Sequence, residues 1–522
     1  MLAPALMIQG TASSVGKSIL TAAFCRYFKQ QGLRVLPFKS QNMALNASVT
    51  KDGGEIGRAQ ALQADACGVE AHVDMNPILL KPEGDSRSQV VVLGKSMGRM
   101  SAVEYHAYKP ELKGIVADCL HRLRSQCDVL VIEGAGSPAE INLRARDIVN
   151  MFVAHAADAS VLLVGDIDRG GVFASLVGTM DLLEPADRAR VRGFLINKFR
   201  GDVSLLKPGL DFLEERTKVP TLGVIPHVPR LRVADEDSLG LDRQDRHQAP
   251  KAGTLAVAVI RYPRISNYDD FLPLEHEPGV SLRFVDDPAH LAGADLVILP
   301  GSKATVADLA WLRESGFEAV LKARAIFGEP IVGICGGCQM LGQFILDPDG
   351  VESTQRRVEG LGLLDHHTVF QNDKRTAQVR GRAIADTLLT RKGDVVAGYE
   401  IHAGRIVRGA GTGSVAGTGA IAAAGSGPAA ALVAVTSRHG QPEDDLDGSV
   451  AKNGAVVGTM IHGIFDEVPV RRRLLESLAA RRGGPAPTLA VQASKDEEFD
   501  RLAQVLEQAV SREKLFELLR RG

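Results

Sequence analysis

A glycine-rich segment near the start of the chain has the residues of a phosphate-binding loop. An apolar run leads into Gly10-Thr11, five residues separate Gly10 from Gly16, and a helical pattern follows Lys17 and Ser18. Backbone N–H groups of such a turn attract anions at a helix N-terminus. A strand–turn–helix corner with a solvated lysine is the alternative, but the order of the elements favours a nucleotide. We predict that all five named residues bind nucleotide and that the Ser18 hydroxyl also contacts Mg²⁺.

The spacing between the two glycines is one residue longer than in the common phosphate-loop motif. It resembles the loop of the dethiobiotin synthetase-like branch of nucleotide-binding proteins, which phosphorylate carboxylate-like groups. The resemblance implies three further residues, each near the end of an apolar run. Lys39 is expected to face the phosphates, Glu133 to face Mg²⁺, and Asn197 to contact the base. Each could instead be a solvated strand end, although an acid at the end of a buried strand needs a partner.

A second reactive segment lies at Cys335, where an apolar run stops and a helical pattern begins. A nucleophile in such a strained turn requires very small neighbours, and a helix N-terminus favours a thiolate. The backbone N–H of Gly336 is expected to face the developing oxyanion, with a second donor from the turn at Gly301. The alternative is an inert, buried cysteine. Flanking glycines favour the nucleophile.

The pattern G-x-C-x-G-x-Q, which ends at Gln339, resembles the class I glutamine amidotransferases. The resemblance implies that Gln339 belongs to the glutamine-binding and oxyanion region and that a downstream histidine acts as the base. We predict His462, with His402 as the second candidate. The other candidates are His366, His367 and His439.

The third member of the glutaminase triad is not identified by the sequence. The family usually has Glu two residues after the base, and this chain has Ile464 there. Asp466 and Glu467 are nearby acids, but neither has support. A Cys–His pair can suffice where the thiolate is already favoured.

Short apolar runs alternate with helical patterns in both halves of the chain, which indicates parallel sheets covered on both faces. The predicted fold class is α/β, with two doubly wound domains and mainly parallel sheets. The predicted parts are a synthetase domain at 1–235, a linker at 236–252, a glutaminase domain at 253–480 and a helical extension at 488–522. A Gly/Ala-rich insertion is predicted at 409–431.

Composition excludes several other classes of protein. The chain has 522 residues, 45% of them hydrophobic and 24% charged, with a net charge of −2. This balance gives no indication of nucleic-acid or membrane partners, and no apolar run is long enough to span a bilayer. The six cysteines are scattered, so we expect free thiols in a reducing cytoplasm.

The combination of these two domains in this order resembles the corrinoid amidases. The resemblance implies an enzyme that takes nitrogen from glutamine and uses ATP and Mg²⁺ to amidate a corrinoid. It implies stepwise amidation of four peripheral carboxylates of adenosylcobyrinic acid a,c-diamide. The matching segments are 37–46, 76–82, 147–151, 166–173 and 398–402.

Two other functions stay open: an a,c-diamide synthase, and a P-loop switch ATPase with an inactive glutaminase-like module. The stretch 40–126 is too long for one crossover helix, and we expect part of it to bind the corrinoid. The candidate substrate residues are Gln41, Asn42, Lys81 and Arg87. A solvated polar insertion is the alternative for this stretch.

Overall fold

The computed structural model describes residues 2–83, 87–228, 251–408, 430–490 and 494–520. The predicted linker at 236–252 and insertion at 409–431 lie almost entirely outside the described residues. The described residues form two compact units. The first contains 2–228, apart from 51–53, together with 494–520; the second contains 51–53 and 251–490.

The first unit alternates strands and helices along the chain. Its strands are β1 (Ala5–Gly10), β2 (Val35–Phe38), β3 (Gln41–Met43), β4 (Ala47–Val49), β5 (Glu55–Gly57), β6 (Ile78–Pro82), β7 (Arg87–Val92), β8 (Lys95–Ser101), β9 (Val129–Glu133), β10 (Ser160–Asp166), β11 (Val191–Phe199) and β12 (Thr221–Pro226). Its helices are α1 (Lys17–Gln30), α2 (Arg58–Cys67), α3 (Ala102–Arg124), α4 (Met151–Ala156), α5 (Val172–Leu182), α6 (Pro185–Arg188) and α7 (Lys207–Thr217).

A parallel six-stranded sheet forms the centre of this unit, in the order β12-β11-β10-β1-β9-β2. All residues of β1, β9 and β10 are buried, as expected for strands covered on both faces. The parallel arrangement brings the carboxyl ends of β1, β2 and β9 to one edge of the sheet. The predicted phosphate loop follows β1, Lys39 follows β2, and Glu133 is the last residue of β9.

The long stretch between β2 and β9 has its own structure, as its length indicated. It contains a four-stranded sheet in the order β3-β6-β7-β8 and the pair β4–β5. Helix α2 packs against α1, and α3 leads into β9. This stretch therefore places α2 beside the helix that follows the phosphate loop.

The second unit combines a mainly parallel sheet with an antiparallel one. Its strands are β13 (Leu255–Ile260), β14 (Ile265–Ser266), β15 (Val280–Val285), β16 (Leu296–Leu299), β17 (Gly301–Ser302), β18 (Ile331–Ile334), β19 (Phe344–Leu346), β20 (Arg357–Glu359), β21 (His366–Ala383), β22 (Val395–Arg408), β23 (Val433–Arg438), β24 (Gln441–Asp447), β25 (Ser449–Val450) and β26 (Val456–Thr459). Its helices are α8 (Leu272–Glu275), α9 (Thr305–Glu314), α10 (Phe317–Ile326), α11 (Gly336–Leu341) and α12 (Val468–Arg482).

The central sheet of this unit has the order β15-β13-β16-β18-β26-β25, and only the β25–β26 pair is antiparallel. The antiparallel strands β21 to β24 form most of a second sheet, which the sequence did not predict. The α/β fold class with mainly parallel central sheets is confirmed. Within the ranges that the structure describes, none of the helices has the length and apolar character needed to cross a membrane.

The C-terminal segment, for which the sequence predicted a helical extension, forms two helices. They are α13 (Lys495–Ala509) and α14 (Arg512–Arg520), and both belong to the first unit. Phe499, Leu502 and Leu515 are buried in the core that α1 shares with the central sheet. Arg26 of α1 donates a hydrogen bond to Asp500 at 2.6 Å. These helices therefore complete the hydrophobic core of the first unit.

Replacement of Phe499 by alanine should destabilise the first unit, because it removes a ring that is 1% exposed. Loss of a buried phenylalanine typically costs about 3–5 kcal/mol. Hydrogen–deuterium exchange should show faster exchange of the α1 and β12 amides. Phe212→Ala is the matched control, since that ring is 55% exposed. Equal exchange in both variants would contradict a structural role for the C-terminal helices.

Candidate active sites

The phosphate loop of the first unit spans from the end of β1 to the start of α1. Gly16 has a φ of 96°, a left-handed conformation that glycine adopts without strain. A β-carbon on Gly10 would lie 2.5 Å from the Val15 side chain, so a larger residue does not fit. The Lys17 ammonium donates to the carbonyl of Ala12 at 3.0 Å. The predicted loop residues thus form one tight turn with its lysine folded over it.

Glu133 ends β9 beside this loop, and its side chain is fully buried. Its Oε1 accepts a hydrogen bond from the Ser18 hydroxyl at 2.8 Å and one from the Lys39 ammonium at 2.9 Å. The structure therefore brings together three predicted residues that are far apart in the chain. A hydroxyl and a carboxylate oxygen are ligands of the kind that Mg²⁺ prefers, so the side chains present fit this ion.

Asn197 lies near the end of β11 and contacts the loop backbone. Its side-chain amide donates to the carbonyl of Val15 at 2.8 Å and lies directly against Gly16. The adjacent Lys198 donates to the carbonyl of Ser14 and to Asp166, both at 2.7 Å. Both residues therefore support the loop from the β11 side, and a contact of Asn197 with the base stays a prediction.

The four candidate substrate residues have different environments. The Tyr105 hydroxyl donates to Gln41, and Asn42 donates to Gln60 at 3.0 Å. Lys81 is buried in an ion pair with Glu55. Arg87 begins β7 and is exposed. All four residues lie on the neighbouring strands β3, β6 and β7 of one sheet, and their role in substrate binding stays a prediction.

Cys335 occupies a strained turn between β18 and α11 in the second unit. Its φ is 49° and its ψ is −108°, a conformation that non-glycine residues rarely adopt. The backbone N–H of Cys335 donates to the carbonyl of Thr459 at 2.8 Å and fixes the turn. A β-carbon on Gly337 would collide with the carbonyl of Leu299. The prediction of a strained, glycine-flanked turn is confirmed.

His462 follows β26 and forms a buried pair with Asp270. Its Nδ1–H donates to Asp270 Oδ2, with 2.6 Å between the two atoms. The backbone N–H of Gly463 donates to the other carboxylate oxygen at 2.9 Å. The Tyr399 ring stacks on the imidazole with centroids 5.2 Å apart. The hydrogen bond at Nδ1 and the stacked Tyr399 ring together fix the orientation of the imidazole.

Asp270 holds the position that the sequence left open in the triad. It lies in a single turn of 3-10 helix, Tyr268–Phe271, and precedes His462 by 192 residues. A pattern of residues after the histidine could not reveal an acid from an earlier segment. Asp466, one of the acids near His462, is exposed.

The charges around His462 favour its protonated form. Burial by itself lowers the pKa of this imidazole, but the Asp270 carboxylate and the Cys335 sulfur outweigh burial and raise the pKa above its ordinary value. A protonated imidazole stabilises a neighbouring thiolate. The arrangement therefore matches that of a catalytic triad, with Cys335 as the nucleophile, His462 as the base and Asp270 as the orienting acid.

The other candidate bases lack this arrangement. His402 Nδ1 donates to the carbonyl of Gly404 at 2.7 Å, and burial lowers the pKa of His402 to about 4. His366 Nε2 contacts the carbonyl of Cys338 at 3.1 Å, and burial likewise lowers its pKa to about 4. Among the residues that the structure describes, neither imidazole has a carboxylate partner on its ring nitrogens. His462 is the candidate that the geometry favours.

The predicted oxyanion residues lie around the thiol turn. A β-carbon on Gly301 would lie 3.1 Å from His462 Cε1, and one on Gly336 would lie 2.8 Å from the backbone nitrogen of Ser302. Gln339 is buried, and its side-chain oxygen accepts from the Thr305 hydroxyl at 3.2 Å. The β17 turn therefore reaches the start of α11, as an oxyanion site requires.

Comparison with known families identifies the class of each unit. Residues 6–240 match the CobQ/CobB/MinD/ParA nucleotide binding domain. Residues 256–470 match the CobB/CobQ-like glutamine amidotransferase domain. The chain is therefore an enzyme that joins a nucleotide-binding domain to a glutamine amidotransferase domain.

Full-length relatives define the family more narrowly. The chain is 57% identical to a cobyric acid synthase of Sorangium cellulosum, over 98% of both chains. It is 49% identical to a cobyric acid synthase of Dehalococcoides mccartyi over 100% of both. It is 47% identical to one of Alkaliphilus metalliredigens over 98% of this chain and 99% of that protein. The chain belongs to the cobyric acid synthase family.

Asp270→Asn should slow glutamine hydrolysis by about 10²–10⁴-fold, the usual range for loss of general acid–base function. Without the carboxylate the pKa of His462 falls, so less imidazolium is available to stabilise a thiolate, and alkylation of Cys335 at pH 7 should slow as well. Glutamate release and iodoacetamide labelling measure the two effects. Asp466→Asn is the matched control and should keep wild-type rates. Slow glutamine hydrolysis in Asp466→Asn, together with wild-type rates in Asp270→Asn, would instead identify Asp466 as the orienting acid.

Proposed function

We propose that the protein amidates four peripheral carboxylates of adenosylcobyrinic acid a,c-diamide, with glutamine as the nitrogen donor and one ATP for each amide. The observation that carries this proposal is the full-length similarity to proteins named cobyric acid synthase. The two residue clusters support it, because amide formation from glutamine needs both a glutaminase and a site that activates a carboxylate.

The glutaminase half-reaction uses the Cys335 triad. The Cys335 sulfur attacks the side-chain amide carbon of glutamine, and backbone N–H groups of the Gly301 and Gly336 turns stabilise the oxyanion. His462 gives a proton to the departing nitrogen, so ammonia leaves and a thioester forms. Water, deprotonated by His462, then releases glutamate and restores the thiol. Asp270 holds the imidazole in the orientation that both proton transfers require.

The synthetase half-reaction activates a corrinoid carboxylate. The carboxylate oxygen attacks the γ-phosphorus of ATP, ADP leaves, and an acyl phosphate forms. Ammonia then attacks the acyl carbon and displaces phosphate, which yields the amide. Lys17 and Lys39 offset negative charge on the transferring phosphoryl group. Mg²⁺, held by Ser18 and Glu133, would neutralise further phosphate charge when bound.

A pair of variants should separate the two half-reactions. Cys335→Ser should abolish amidation from glutamine and preserve amidation from ammonium salt at alkaline pH, because the synthetase site is intact. Lys17→Ala should lose about 10²–10³-fold or more with either nitrogen source, the scale of removing one preorganised donor. Amide formation with glutamine and with ammonium salt is the measurement. Glutamine-driven turnover in Cys335→Ser, or near-normal ammonia-driven turnover in Lys17→Ala, would disprove the respective role.

The substrate is tested by product mass. The enzyme is incubated with ATP, Mg²⁺, glutamine and adenosylcobyrinic acid a,c-diamide, and mass spectrometry follows the products. Four successive single-amide steps are expected, with one glutamate released in each. A reaction that requires the unamidated acid and stops after two amides would instead identify an a,c-diamide synthase. Glutamate release without any corrinoid product would contradict both assignments.

A further inference from the structure

The two oxygens of the Glu133 carboxylate have different partners. Oε1 accepts from the Ser18 hydroxyl and the Lys39 ammonium at 2.8 and 2.9 Å. Oε2 accepts from the side-chain amides of Gln63 at 2.5 Å and Gln60 at 3.4 Å. One oxygen thus faces the phosphate-loop side, and the other is held by α2.

The two glutamines are fixed in the orientation that donates to Glu133. Both side chains are fully buried, and they are three residues apart on α2, so they share one face of the helix. An ionised carboxylate only accepts hydrogen bonds, so each amide must present its NH₂ group. The Gln60 oxygen is occupied by the Asn42 amide at 3.0 Å, and the Gln63 nitrogen also approaches the Ser18 carbonyl at 3.4 Å.

The chemical type of these two residues has a consequence for metal binding. A lysine or arginine at either position would place a second positive charge, besides that of Lys39, on the carboxylate and would compete with a metal ion for it. A glutamate would repel it. The Lys39 ammonium already pairs with Oε1, and a neutral amide donor fixes the other oxygen without adding a second positive charge.

We propose that Gln60 and Gln63 are positioning residues that anchor Glu133 Oε2 and thereby direct Oε1 toward the Mg²⁺ site at Ser18. The proposal rests on the metal-binding role proposed for Glu133. Gln63 carries more of the effect than Gln60, because its contact with the carboxylate is shorter. Both glutamines are assigned to act through the Glu133 carboxylate, which they contact directly.

The test measures Mg²⁺ affinity directly, apart from turnover. Isothermal titration calorimetry follows Mg²⁺ binding to the full chain with a non-hydrolysable ATP analogue. Gln63→Met keeps the length of the side chain and removes the amide. It should weaken Mg²⁺ binding about 10–100-fold, the range for loss of a partner behind a metal ligand. The affinity for the analogue without Mg²⁺ should stay within about twofold of wild type. Gln126→Met, on an exposed turn, is the matched control.

A double variant separates this inference from the role of Glu133 itself. Because Gln63 acts through Glu133, Glu133→Gln combined with Gln63→Met should bind Mg²⁺ no more weakly than Glu133→Gln alone. Unchanged Mg²⁺ affinity in Glu133→Gln would overturn the proposed metal site. Weakened binding in Glu133→Gln with normal binding in Gln63→Met would overturn the positioning role alone. Equal loss of analogue affinity with and without Mg²⁺ would indicate a merely structural defect and would also overturn it. Gln60→Met, with a smaller expected loss, replaces Gln63→Met if that variant does not fold.

Discussion

A carboxylate that is removed from water must be given charged or hydrogen-bonding partners, because an unpaired buried ion costs on the order of several kcal/mol. Both candidate sites are built around such a group. The Glu133 side chain is fully buried and that of Asp270 is 3% exposed. The partners of these two acids include the residues that carry the proposed chemistry. Satisfying the buried charge and assembling the site are therefore the same structural requirement.

The two carboxylates are neutralised in different ways, and the difference suits their roles. Glu133 is near a lysine, a hydroxyl and two amides, so its immediate partners are mostly neutral donors. Asp270 faces a single titratable imidazole and one backbone N–H. In the first arrangement the Lys39 ammonium pairs with the carboxylate, and the neutral donors add no further positive charge that would compete with a metal ion. In the second arrangement, the negative charge of Asp270 raises the pKa of His462.

The central sheets make these pairings possible. Parallel strands end at one edge, so residues that are distant in the chain meet there without long loops. In the first unit, α1 carries Ser18 at this edge, and the C-terminal helices α13 and α14 share a core with α1. The helix that bears the proposed metal-binding hydroxyl is thus supported by a segment from the far C-terminal part of the chain. A domain boundary drawn from linear sequence separates these two segments.

The sequence by itself determined the features that depend on neighbours along the chain. Glycine spacing identified the loop at Gly10–Ser18 and the strained turn at Cys335, because each requires small residues at fixed offsets. Alternating apolar and amphipathic segments predicted the α/β class, and the short strand before Glu133 marked it as a buried acid. Only the tertiary structure decided which distant groups meet these residues. Asp270 comes from a turn with no distinctive pattern, and Gln60 and Gln63 lie in the stretch 40–126, part of which the sequence predicted to bind the corrinoid. Their partners are set by packing of α2 and of the Tyr268–Phe271 turn, and local spacing carries no information about contacts made across the fold.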